Sequence, residues 1–273
     1  MSTLREKRKK ERRALRRRKT ADWTVVLILC AIAVCCGGYL IYHHWSVKQR
    51  ELEYEKLRQE ETLSAATETV IAEPETEEST EETVIYCDPV YDFGQLHEQN
   101  QDIYAWIVVP GTQVDYPLLQ SETDNYYLDY NLDHSKGYPG CIYTNQCNRK
   151  DFSDYNTVLY GHNMKNGSMF GQLKQFKLPE TIQKSKYIWI LTPDEVCKYE
   201  IFSCYTAEVG SDTYTLIKGP GKGLVEYAEK MQAKDTLGLT RREFDVKDKV
   251  ITLSTCTGNE ATRYVVQAVK VEP

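Results

Sequence analysis

Zinc-ligand spacing is missing from this chain of 273 residues. None of its nine cysteines stands in a CxxC pair, and its five histidines form no zinc pattern with them. The common structural zinc modules are therefore excluded. There is no internal repeat, which excludes solenoids and propellers. There is also no dense cysteine framework of the kind that staples small secreted domains. Cys197 and Cys204 share one strand-like run. Their spacing puts them on opposite faces and about 23 Å apart if extended, so they cannot pair within a straight strand. Cys141 and Cys147 could meet across a turn at Asn145-Gln146, and the sequence leaves that pairing open.

Charge is absent from one long stretch. From Trp23 to Trp45 there is no Lys, Arg, Asp or Glu, and about 20 apolar residues suffice to cross a bilayer as helix. Trp23 at one end and Tyr39, Tyr42 and Trp45 at the other suit interfacial aromatic belts. The basic cluster from Arg5 to Lys19 predicts an N-terminus held in the cytoplasm and a single span, with the rest of the chain outside. A cleaved signal peptide would have a shorter apolar core, about 7–15 residues. Ala31-Ile32-Ala33 resembles a cleavage site, but apolar residues continue to Tyr42. A lipoprotein-type cysteine at Cys35 or Cys36 is a poorer match after Val34 or Cys35. A retained anchor is the reading. The three cysteines inside it, Cys30, Cys35 and Cys36, serve as small apolar residues.

The net charge of -6 conceals an asymmetry between this basic end and an acidic stretch from Glu60 to Glu82. Beside a membrane span the basic residues are topogenic, so nucleic-acid binding is not implied. Four regions follow: a basic cytoplasmic tail over 1–22, a transmembrane anchor over 23–45, a juxtamembrane helix and acidic linker over 46–85, and a globular domain over 86–273. Ser46 to Glu61 reads as a short solvated helix. Thr62 to Thr83, rich in Glu, Thr and Ser, cannot bury a core and reads as a disordered spacer.

Phe93, Leu96 and Ile103 suggest a helix that Asn100-Gln101-Asp102 interrupts. Trp106 to Val109 reads as a strand closed by Pro110-Gly111-Thr112, and Val114 to Gln120 as an edge strand because of Pro117. Further strands are expected at Cys141 to Thr144, Asn156 to Gly161, Lys186 to Leu191 and Val196 to Glu208, the last two joined by a turn at Thr192 to Glu195. Gly223 to Lys234 has helical spacing. Val250 to Thr255 and Arg263 to Val271 close the chain as a hairpin. This pattern is mainly β, a barrel or a sandwich.

In that hairpin Cys256 and Arg263 would sit opposite each other, about 5 Å apart. A thiolate is the attacking form of cysteine, and a cation beside it favours that form. A guanidinium suits a developing oxyanion. A base must complete the set. His43 and His44 border the apolar stretch, His97 lies on an expected surface helix and His134 in a polar loop. His162 alone follows a strand and precedes a flexible loop, Asn163 to Gly167.

Leu253-Ser254-Thr255-Cys256 before an arginine-bearing strand, with Tyr160-Gly161-His162-Asn163-Met164 upstream, resembles the sortases. More narrowly it resembles class B, the membrane-bound cysteine transpeptidases of Gram-positive surfaces. The resemblance covers roughly Tyr91 to Val271. It implies a closed eight-stranded β-barrel with an N-terminal helical segment and a crossover helix. It implies Cys256 as nucleophile, His162 as general acid and base, and Arg263 as oxyanion partner. It also implies a substrate groove shaped by Ser254, Thr255, Asn125 and Leu128. The partners implied are a surface-protein sorting-signal peptide and an acceptor amine, from a lipid-linked cell-wall precursor or a pilin lysine. No cofactor or metal is required. The sequence departs from class B at Thr257, where an acidic residue often follows the cysteine, and in its short Cys256–Arg263 loop. A secreted cysteine hydrolase and a non-catalytic wall-associated scaffold are the alternative readings.

Overall fold

The computed structural model describes residues 2–62, 91–184 and 186–271, so Cys87 and nearly all of the expected acidic spacer lie outside it. The first element, α1 (Ser2–Thr62), contains the one helical stretch among the described residues long and apolar enough to cross a membrane. The chain divides into two compact units, one ending at Arg50 and the other beginning at Glu51.

In the second unit the end of α1 is followed by α2 (Phe93–Gln99), β1 (Ile103–Val109), β2 (Val114–Leu119), α3 (Tyr126–Asp129), β3 (Ile142–Thr144) and β4 (Asn156–Tyr160). Then come α4 (Pro179–Lys184), β5 (Tyr187–Leu191), β6 (Val196–Glu208), α5 (Lys222–Gln232), β7 (Val250–Cys256) and β8 (Thr262–Val271). The eight strands close into a barrel in the order β1-β2-β3-β4-β7-β8-β6-β5. Two neighbouring pairs, β2–β3 and β4–β7, are parallel, and the others are antiparallel.

The barrel is filled by buried residues such as Trp106, Leu118, Tyr199, Leu253 and Val266. A second apolar layer lies outside it. There Leu224, Tyr227, Ala228 and Met231, at the spacing of one helical face, put α5 against Phe202, Tyr205, Val265 and Val269. The Leu, Met, Val and Phe side chains among them contribute about 1.5–3 kcal/mol each when fully buried. α2 is capped by Asp92, whose carboxylate accepts from the Gly94 and Gln95 amides. It stops at Asn100, and Ile103 begins β1 instead of extending the helix. The Asn100 side chain holds that corner by donating to the Leu132 carbonyl and accepting from the Asp102 amide.

Three expectations need correction. The segment from Ser46 to Glu61 is not a solvated helix, because Tyr54 and Leu57 are buried in the barrel's own core cluster. β2 is not an edge strand, since it pairs with β1 on one side and β3 on the other. Pro117 is tolerated because β3 is short and meets β2 only at Leu118 and Leu119, leaving the proline a single neighbour. Cys197 and Cys204 do not occupy opposite faces. A register shift between Ile201 and Ser203 reverses the alternation, and both thiols join the same core. They are free, and burial pushes Cys197 up to about 11 and Cys204 well above the ordinary thiol value. Cys141 and Cys147 form no disulfide with each other: Cys141 is buried and Cys147 exposed.

Beneath α5 a polar network crosses three strands. Asn156 donates to Tyr227 and to the Thr215 carbonyl and accepts from Thr252, while Gln267 donates to both Tyr227 and Thr252. Buried groups of this kind are costly to leave unpaired. Asn156→Leu is therefore expected to destabilise the domain by about 1–3 kcal/mol. Urea unfolding of the detergent-solubilised chain, followed by tryptophan fluorescence, should show a lower midpoint; an unmoved midpoint would remove the network from the account of stability.

Candidate active site

Two parallel strands end side by side. β4 and β7 run in register from Asn156↔Val250 to Tyr160↔Ser254, and parallel neighbours lie about 4.8 Å apart. His162 and Cys256 each stand two residues beyond that last pair. The register thus carries both to the same end of the barrel. The ladder is extended by side chain and backbone: Gly161 N–H donates to the Ser254 carbonyl at 3.3 Å, and Thr255 Oγ1 donates to the Gly161 carbonyl at 2.8 Å. Asn163 Nδ2 donates to the Cys256 carbonyl at 2.7 Å. On the other side β7 pairs with β8, and Cys256 faces Arg263.

Gly161 is required at this junction. A Cβ there would stand 2.8 Å from the Phe170 ring. Phe170 in turn donates its N–H to the His162 carbonyl at 3.0 Å. The loop after His162 is therefore not free, contrary to expectation. Asn163 bridges to Met169, and Asn166 accepts from the Ser168 amide and hydroxyl.

Cys256, His162 and Arg263 line one cleft of about 430 Å³ together with Ser254, Thr255, Asn125 and Leu128. All seven residues singled out from the sequence are thus brought together. Cys256 and His162 are half-buried. The His162 ring nitrogen Nε2 lies 2.7 Å from the Leu128 carbonyl oxygen, and its ring centroid is 5.0 Å from that of Tyr138. Arg263 makes no ion pair with Glu260. Its Nη1 donates to the backbone carbonyls of Glu260 and Thr262 at 3.0 and 2.9 Å, which fixes one arm of the guanidinium at the rim. Thr257 closes the short hairpin mouth through the Thr262 hydroxyl at 2.6 Å.

The abundance of tyrosine suits either a peptide groove or barrel packing, and the cleft takes three of the twenty. Tyr143, Tyr160 and Tyr214 line it. Tyr143 donates to Asn125 Oδ1 at 2.9 Å, and Tyr214 shares a hydrogen bond with Ser254 Oγ at 2.9 Å. Burial pushes all three phenols above their ordinary value, so they stay neutral. Arg263 is then the one permanent charge among the described lining residues. Tyr160 stands in the quoted motif, but nothing in the sequence separates Tyr143 and Tyr214 from the other tyrosines, because tyrosine also packs the barrel. Asn163 could have been found, since it stands beside the histidine in the quoted motif.

A family model, "Sortase domain", matches residues 107–271. The chain belongs to the sortase family. Sortase B of Listeria monocytogenes is 34% identical over 172 residues, which cover 59% of this chain and 65% of that protein. Sortase B of Staphylococcus aureus is 25% identical over 251 residues, 91% of this chain and 96% of that protein. A solved sortase B from Bacillus anthracis superposes with a TM-score of 0.66 at 27% identity, covering 85% of this chain and all of that one. This sortase is therefore similar to class B members, as its motifs implied, and the closed barrel is the fold expected of it.

Two outcomes check this architecture. Gly161→Ala should destabilise the sortase by about 1–3 kcal/mol through overpacking, and Phe170→Leu should relieve part of that cost in a double-mutant cycle. Additive effects would mean the Phe170 contact is not the cause. Asp212, in the segment that carries Tyr214, is held down to about 2 by Lys230 of α5 and by Lys234 just beyond that helix. A depressed carboxylate stabilises the fold above its unfolded value of 3.8, and the gain is lost as pH falls toward 2. Melting temperatures between pH 5 and 2 should thus fall less steeply for Asp212→Asn than for the parent, and parallel curves would dismiss the pair as a contributor.

Proposed function

We propose that this sortase is a membrane-anchored, class B-like cysteine transpeptidase that joins surface proteins to an amine outside the cell. The observation that supports it most is the double register at one barrel end: Tyr160↔Ser254 in parallel and Cys256↔Arg263 in antiparallel, with all three functional side chains on one cleft. The Cys256 thiolate attacks the carbonyl carbon of a threonine-like residue in a C-terminal sorting motif. The C–S bond forms, and negative charge gathers on the carbonyl oxygen. Arg263, held at the rim by two backbone carbonyls, supplies donors to that oxyanion. The intermediate collapses to a thioacyl enzyme as the C–N bond breaks. His162 gives its proton to the departing amine. An incoming amine then loses a proton to His162 and attacks the thioester, which frees Cys256.

Leu128 bears on the proton's position. A carbonyl oxygen only accepts, so Nε2 of His162 carries a hydrogen and proton exchange falls to Nδ1. Asn125, Leu128, Ser254 and Thr255 shape the groove beside the neutral tyrosines. An extended, uncharged peptide segment fits such a wall. The acceptor is a cell-wall precursor cross-bridge or a pilin lysine. The apolar stretch of α1 anchors the enzyme as a single span, with the basic tail inside and the barrel outside. A hydrolase using the same thiol and imidazole would pass the acyl group to water instead.

The full chain in detergent, offered fluorogenic peptides of the Asn-Pro-x-Thr and Leu-Pro-x-Thr types with and without an oligoglycine amine, tests this. Mass spectrometry should find cleavage after threonine and capture of the amine, both abolished by Cys256→Ala. Arg263→Ala should lower kcat/KM by about 10²–10³-fold, as loss of an oxyanion donor does. Hydrolysed product alone would convert the assignment to a hydrolase, and turnover that survives Cys256→Ala would end it.

A further inference from the structure

The end of α1 that packs on the barrel does so at the supports of His162. Tyr54 is buried, and its hydroxyl lies 3.2 Å from the Gly140 carbonyl and 3.4 Å from Cys141 Sγ. Its ring meets Tyr116 edge-on at 5.2 Å, and the Arg58 guanidinium lies over the same Tyr116 ring while Nε donates to the Asp115 carbonyl. The segment that Tyr54 grips has no slack. Gly140 has φ +66, and a Cβ there would stand 2.7 and 2.8 Å from the carbonyl oxygens of Tyr127 and Leu128. The Cys141 amide donates to the same Tyr127 carbonyl at 2.9 Å. Leu128 O is the acceptor for His162 Nε2, and Tyr138, two residues before Gly140, sets its ring against the imidazole.

A second contact holds the chain beyond the histidine. Glu51, three residues before Tyr54, accepts from Asn166 Nδ2 at 3.2 Å. Asn166 lies in the loop that leaves His162. One helical turn therefore holds both the backbone beneath the imidazole and the loop beyond it.

We propose that Tyr54, seconded by Glu51, is a positioning residue for His162, so that the last turns of α1 are part of the catalytic apparatus and not only a tether. Tyr54 touches no reacting atom. It acts by fixing Gly140 against the Leu128 carbonyl, and hence the acceptor that orients the imidazole. The kinetic arm of the test rests on the sortase reading; the spectroscopic arm does not.

The test uses the full chain in nanodiscs with ¹³C-labelled histidine, comparing the parent with Tyr54→Phe and Asn166→Ala. Tyr54→Phe keeps the ring packing and removes only the hydroxyl. With the Asn-Pro-x-Thr peptide and triglycine, Tyr54→Phe should lower kcat by about threefold to tenfold, the scale of one neutral hydrogen bond. KM for the peptide should change less than twofold. The His162 ring resonance, assigned by its loss in His162→Gln, should move in Tyr54→Phe and again in Asn166→Ala. A lowered melting temperature with kcat and the His162 resonance unchanged would overturn the proposal and leave Tyr54 a packing residue. If the parent turns over no peptide while the resonance still moves, the coupling stands and the transpeptidase reading falls. If neither turnover nor any movement is seen, both fall.

Discussion

The structure depends on the parallel pairing of β4 with β7. These strands are far apart in sequence, with β5, β6 and α5 threaded between them. A parallel pair needs a long crossover, here through β5, β6 and α5, before its two C-terminal ends can lie together. Only at those ends can a histidine and a cysteine emerge side by side without a bend in either strand. The extra bonds from Thr255 to Gly161 and from Asn163 to Cys256 carry the ladder past its last regular pair. Cys256 and His162 therefore hang from barrel backbone and not from a loose loop. Such rigidity is what the proposed thiol and imidazole chemistry would require.

Electrostatics follows from the same placement. The cleft is walled by phenols that burial keeps neutral, with one fixed positive charge at its mouth. A charge that develops on a substrate oxygen meets a partner already in position. No second permanently charged side chain stands among the described lining residues to compete with it. The polar network of Asn156, Thr252, Gln267 and Tyr227 performs a different task at the same strands. It locks β4, β7 and β8 to α5 on the outer face, so the register that matters inside cannot slip without unpairing buried groups.

The strand framework was legible in the sequence, and so were the three side chains that the barrel brings to one cleft, because both leave local signatures. β-branched runs bounded by Gly, Pro and Asn mark strands, and Cys256, His162 and Arg263 each lie at a strand end. What could not be read depended on partners remote in the chain. Tyr54 and Leu57 look like ordinary interruptions of a charged helix until the barrel they enter is known. Pro117 signals an edge, and only the shortness of β3 explains its place inside a closed sheet. A single irregularity after Ile201 reversed the expected faces of Cys197 and Cys204, and no local composition announces it. Asn163 was read as part of a flexible loop, although its amide ties that loop to the Cys256 carbonyl.

The burial of three thiols has a consequence for covalent chemistry. Cys141, Cys197 and Cys204 are enclosed, and Cys197 and Cys204 are also held in the protonated form. Outside the apolar stretch, Cys147 and Cys256 are the described cysteines that solvent reaches. Of these two, Cys256 alone opens onto a walled cleft beside a cation. A warhead matched in shape to that cleft would thus face little competition from the rest of the folded barrel. Its selectivity within this molecule would be decided by fit, not by intrinsic electrophilicity.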